Sequence, residues 1–259
     1  MYPSIMKTAN LSAMTPLLAL KLVTVAALWG GTFIAGRILS QSLPSMTAAF
    51  SRFFVASILL VMVAVRMEGK LPRLNLEQIL LTAFLGVTGI FLYNICFFGA
   101  LATMPAGRTS LFVSLTPIVT AIVAGLVFRE RLGFRRWIGI VVALVGAIIV
   151  ITRGDLIKGI TDISQSLGQG ELMMLGSVLS WTAYTLISRK ALETLSPIAT
   201  TTYGTLWGFL FLGAGAIGEV KDINWILLDW RVWTSIFYLG AFVSVPFLHL
   251  SGTTKEFEP

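Results

Sequence analysis

The stretch TSLFVSLTPIVTAIVAGLVF, residues 109–128, runs without a single charge. As an α-helix rising ~1.5 Å per residue it is about 30 Å long, the thickness of a bilayer's hydrocarbon core. Arg108 stands just before it and Arg129, Glu130 and Arg131 just after, so charge returns where headgroups would begin. The segment therefore predicts a membrane span. Runs of the same kind recur on both sides: Leu17 to Ile38, Thr47 to Val65, Ile79 to Leu101, Trp137 to Ile151, Leu172 to Ile187, Ile198 to Gly218 and Val232 to Leu250. The expectation is an all-α, polytopic transmembrane bundle of about eight helices. Its short connections force neighbouring helices to lie antiparallel.

Composition points the same way. Of the 259 residues, 56% are hydrophobic and 12% charged, whereas soluble domains carry about a quarter charged residues; the mean hydropathy is +0.87. The net charge of +7 is spread between the apolar runs, not gathered into the patch that reads nucleic acid, so no nucleic-acid partner is expected. With a cytoplasmic N-terminus the inner segments hold Lys7, Lys21, Arg66, Lys70, Arg73, Arg129, Arg131, Arg135, Arg136, Arg189 and Lys190. The outer segments hold only Arg37, Arg108, Arg153, Lys158, Lys221 and Arg231. This asymmetry follows the positive-inside rule and predicts a multi-pass protein of the cell membrane, the inner membrane of a bacterium or archaeon, with its N-terminus in the cytoplasm. No small-residue cleavage site follows the first run, which reads as an uncleaved helix. Cys96 is the only cysteine, which excludes a disulfide framework and a Cys-based zinc site.

The chain also resembles itself. At an offset of 152, Leu28-Trp29 meets Ser180-Trp181 and Arg37 meets Arg189. One residue later in register Pro44 meets Pro197 and Phe50 meets Tyr203, then Leu85-Gly86 meets Leu239-Gly240, with Gly99 near Gly252. Each proline opens a helix, where its missing N–H is harmless. The first unit, residues 1–152, has five helices, an odd number, so the second enters the membrane inverted. Residues 153–169, carrying Asp155, Lys158 and Asp162, form the polar linker, and residues 170–259 form a second unit of three helices.

Several stretches carry a family likeness: ALWGGTFIAGRIL (27–39), PSMTAAFSRFFVASILL (44–60), GALATMPAGRTSLFVSLTPIVTAIVAGLVFRERL (99–132) and GIVVALVGAIIVI (139–151). They resemble the EamA family of the drug/metabolite transporter superfamily from Leu17 to about Phe242. The resemblance implies a ten-helix, two-repeat exporter of amino acids, metabolites or drugs, with a central substrate site and both termini cytoplasmic. It also implies that Glu130 latches a cytoplasmic gate. Here the last two helices of that pattern are missing, and VSVPFLHLSGTTKEFEP (243–259) fits the expected eighth helix poorly. Two readings follow: an exporter working by alternating access, or a truncated fragment that is non-functional or needs a partner to supply the missing helices.

Candidate site residues come from what lipid penalises. Arg52 lies about eight residues into the second helix, some 12 Å at ~1.5 Å per residue, and an ionisable group at that depth is expensive unless it has work to do or snorkels outward. A buried guanidinium can hold a carboxylate by two parallel hydrogen bonds. Trp29 and Trp181 occupy matching places, with Tyr93, Asn94, Tyr184, Tyr203 and Trp207 at similar depth. They suit either a small-molecule cavity or interfacial anchors. Ser114 joins them beside Pro117, which predicts a kink in the fourth helix. Gly204 and Gly208 give the GxxxG spacing of close helix packing. No Asp or Glu falls within the eight cores, and His249 is the lone histidine. A carboxylate proton relay is therefore disfavoured, and no catalytic residue, metal ligand or cofactor is expected: the chain is not an enzyme. Its expected partners are the bilayer and a small-molecule substrate, with a homo-oligomer possible.

Overall fold

A computed structural model describes residues 16–127, 133–151 and 168–242. Among these there are eight helices and no strand. They are α1 (Pro16–Ser42), α2 (Ser45–Glu68), α3 (Leu76–Thr103), α4 (Ala106–Val127), α5 (Phe134–Ile151), α6 (Gln169–Ala191), α7 (Pro197–Val220) and α8 (Trp230–Phe237). The last continues as a π-helical segment, Tyr238–Phe242. Glu130, His249 and nearly all of the 153–169 linker lie outside the described residues.

Of these helices α1 to α4 are long and apolar enough to cross a membrane by length and composition alone. α6 and α7 are as long, and several of their hydroxyls turn inward: Ser177, Thr182, Thr200, Thr202 and Thr205 are all buried. The apolar side chains do the opposite. Phe54, Ile58, Met62, Leu80, Phe84 and Leu210 are exposed on the outside of the bundle, where lipid tails are the natural solvent.

Two helices depart from α geometry. α3 widens into a π-helical segment over Gly86–Leu92. α4 breaks at Ser114-Leu115, between Ala106–Val113 and Thr116–Val127. Pro117 sits just past the break, and its ring nitrogen lacks the amide that would otherwise reach the Val113 carbonyl. The expected kink is thus realised as a turn two residues before the proline.

Small residues set the packing. α2 lies along α7; α3 packs on α6 and α7; α8 packs on α1 and α2. Exchanging α1 with α6, α2 with α7 and α3 with α8 leaves the α2–α7 contact in place and turns α3–α6 into α8–α1 and α3–α7 into α8–α2. A close backbone approach falls at Gly86, where a Cβ would come within 2.8 Å of the Gly204 carbonyl oxygen and the Gly208 nitrogen. At Gly240 a Cβ would come within 2.7 Å of the Arg52 carbonyl oxygen. A Cβ on Gly204 meets nothing nearer than 3.6 Å, an ordinary contact. Gly86→Ala is therefore expected to push α3 off α7 and lower the melting temperature of the detergent-solubilised protein, by an overpacking cost of about 1–3 kcal/mol. Gly204→Ala, on the other side of the same contact, is expected to melt as the parent does.

Candidate functional site

A cavity of about 350 Å³ opens between α1, α2, α3, α4, α6 and α7. That is the lower end of the range for small-molecule sites, about 300–1,000 Å³. One wall is a chain of rings. Phe33 meets Phe97 edge-on at 5.7 Å, Phe97 stacks on Tyr93 at 5.7 Å, Tyr93 tilts against Trp181 at 5.2 Å, and Trp181 against Tyr184 at 5.0 Å. Trp29 stands at the rim, 44% exposed. Hydroxyl-bearing residues Thr32, Thr116, Thr201 and Thr205 complete the lining.

Arg52 is the one charged side chain among the described lining residues. It is buried, with its guanidinium carbon 4.8 Å from the Phe53 ring centre. Its Nη1 donates to Asn94 Oδ1 at 3.4 Å, a long bond. Asn94 is held in turn from its other end, its Nδ2 donating to the Ile90 carbonyl at 2.7 Å. Ile90 belongs to the π-helical segment, so the irregular turn fixes the amide that faces Arg52.

Of the residues expected at a site, the cavity gathers Trp29, Arg52, Tyr93, Asn94, Pro117, Trp181 and Tyr184. Ser114, Tyr203 and Trp207 are not in its lining. Ser114 is exposed and donates to the Leu111 carbonyl. Tyr203 donates its phenol to the Pro72 carbonyl at 2.6 Å, in the loop after α2. Trp207 stacks on Phe211 along its own helix. Glu130 lies outside the described residues. Reading the sequence missed Thr32, Phe33, Phe97, Thr201 and Thr205. The i, i+4 spacing of Thr201 and Thr205, on the same helix face as Gly204, was the available signal for the last two.

The polar contacts sort into two ends. At one, Arg37 Nη1 donates to the Leu101 and Met104 carbonyls at the C-terminus of α3, where the helix dipole favours a cation. At the same end Glu219 accepts from the Thr47 amide at 3.0 Å and hydroxyl at 2.9 Å, and Arg108 pairs with Glu171 at 2.9 Å with both side chains largely buried. At the other end Lys190 pairs with Glu77 at 2.7 Å, both more than half exposed, and Ser196 donates to Glu68. The first end is knit by buried contacts and the second by exposed ones.

The chain belongs to the EamA-like transporter family, whose model matches residues 17–152 and again 168–257. It is 25% identical over 236 residues to an uncharacterised transporter of Bacillus subtilis, YetK, covering 90% of this chain and 71% of that protein. It is 27% identical over 202 residues to a second one from the same organism, YyaM, covering 78% of this chain and 65% of that protein. A protein of Streptantibioticus cattleyicolor named "Probable terminal-alkyne amino-acid exporter" is 26% identical over 133 residues, 51% of this chain and 44% of its own length. The family is one of transporters.

The Arg108 and Glu171 pair fastens α4 to α6 across the boundary between the two matched segments. Removing one partner of a buried pair costs about 3–5 kcal/mol, because the other charge stays behind without compensation. Glu171→Gln is therefore expected to lower the melting temperature clearly. A double Arg108→Met, Glu171→Met variant is expected to recover part of the loss.

Proposed function

We propose that the protein carries a small organic molecule out of the cell by alternating access, the molecule resting in the aromatic cavity while two inversely oriented units rock around it. The observation that carries this reading is the cavity itself. Its walls come from α1 to α4 on one side and α6 and α7 on the other, so a shift between the units must reshape it.

Three further features support the reading. The α3–α6 and α3–α7 contacts exchange with α8–α1 and α8–α2 when α1, α2 and α3 are swapped for α6, α7 and α8, as two repeats about a common axis require. π-helical segments recur at Gly86–Leu92 and Tyr238–Phe242, and laying Leu85-Gly86 on Leu239-Gly240 overlaps them at Gly86–Thr88 and Gly240–Phe242. The name of the Streptantibioticus relative favours export as the direction of transport. In this reading residues 1–152 and 170–259 are the units, 153–169 joins them, and the cell membrane is crossed with the N-terminus inside. The exposed Glu77–Lys190 end then faces the cytoplasm.

In this reading the cavity's position corresponds to an inward-facing state. Thr201 lines it only four residues from the cytoplasmic start of α7, about 6 Å by helical rise, while Arg52 is seven residues, about 10 Å, below the outer start of α2. The buried contacts at Arg37, Glu219 and Arg108 close the outer end, and the cavity reaches toward the inside. Purified protein reconstituted in liposomes is expected to exchange labelled small carboxylates or amino acids, and Thr116→Trp, which fills the cavity from a half-buried position, is expected to slow exchange tenfold or more. Exchange no faster than in protein-free liposomes across such a panel would overturn the proposal.

A further inference from the structure

Arg52 is 9% exposed, and its Nε has no hydrogen-bond partner among the described residues. Its nearest acceptor is neutral, the Asn94 amide oxygen at 3.4 Å. The carboxylates of the described residues lie away from the cavity. Glu171 faces Arg108, Glu219 is held by Thr47, Glu77 faces Lys190 and Glu68 takes the Ser196 hydroxyl. Glu193, Asp222 and Asp229 sit in the connections between helices. A desolvated guanidinium is costly without a counter-charge. Among the described residues the protein provides the cavity, the cation and the donor, but no anion.

The same lining bears on a ligand's other groups. In an α-amino acid the ammonium is carried on the carbon next to the carboxylate, so binding the carboxylate to Arg52 would set the ammonium close to the guanidinium. No lining carboxylate among the described residues would offset it. Beyond Arg52 one wall is rings, Phe97, Tyr93, Trp181 and Tyr184 in series, and the remaining polar lining is neutral, the Asn94 amide and threonine hydroxyls. Flat apolar groups lie well against such a wall.

We infer that the cavity selects an organic monocarboxylate with a flat apolar body and no ammonium group, its carboxylate on Arg52 and its body along the Tyr93–Trp181–Tyr184 wall. This rests on the transport reading for its purpose but not for its test. Asn94 acts as a positioning residue: tied to the Ile90 carbonyl, it turns Arg52 so that Nε and the outer edge of the guanidinium remain for two parallel hydrogen bonds to the ligand.

The test is binding to the purified chain in detergent, by calorimetry, of four probes of one shape: 3-phenylpropionate, 3-phenylpropanamide, 3-phenylpropylamine and phenylalanine. The carboxylate is expected to bind at least tenfold tighter than the other three. Arg52→Lys keeps the preference with weaker binding, and Arg52→Gln loses it. Because Arg52→Gln removes a buried group on which folding can depend, Asn94→Asp is the second variant; it sets a carboxylate against Nη1, satisfies the cation internally and erases the preference while a normal gel-filtration profile reports the fold. The inference is overturned if the amide or phenylalanine binds as tightly as the carboxylate, if Asn94→Asp retains the preference, or if none of the four binds. Carboxylate binding without liposome flux would instead sink the transport reading alone, and flux without carboxylate preference would sink this one alone.

Discussion

Inside hydrocarbon a polar group has no water to fall back on, so every donor and acceptor must be answered by protein or by ligand. In this bundle the rule separates two kinds of charge. Arg37, Arg108, Glu171 and Glu219 sit at helix ends and are answered by carbonyls, a hydroxyl or each other. Arg52 sits deep in the bundle against an amide and a ring. The end charges tie helices together. The deep one is what gives the cavity its chemistry.

The same constraint explains why the bundle can hold a cavity at all. Glycines at Gly86, Gly204, Gly208 and Gly240 bring α3 and α8 against α7 and α2 at backbone distance, so cohesion comes from close backbone packing and not from filling the centre. Bulky residues are then free to stand as a wall. Phe98, Leu101, Phe112 and Leu39 still make a compact core where no wall is needed.

The membrane spans were legible because an uncharged run of about 20 residues has few other uses. Arg52 was legible because its depth is expensive, and Trp29 and Trp181 because they recur at matching places. Tyr203 and Trp207 misled for a geometric reason: α7 turns Thr201, Gly204, Thr205 and Gly208 toward the bundle, at the i, i+3, i+4, i+7 spacing of one face. Residues 203 and 207 fall beside that face, so similar depth did not mean a shared cavity. Phe33 and Phe97 were passed over because an aromatic residue in an apolar run carries no mark of which neighbour it will meet. The break in α4 was expected from Pro117, yet it fell two residues earlier, because the proline deprives a preceding carbonyl of its donor.

The π-helical segment in α3 has a consequence for phase. Each residue of an α-helix turns the chain by about 100°, and a π-turn takes in one residue more than an α-turn. Everything after Leu92 is thus rotated by about that angle from where an unbroken helix would aim it. Tyr93, Asn94 and Phe97 are the first residues past the segment, and they are the ones that build the ring wall and steady Arg52. Straightening that turn would swing all three off the cavity together, making a few residues of backbone the dial on which the site is set.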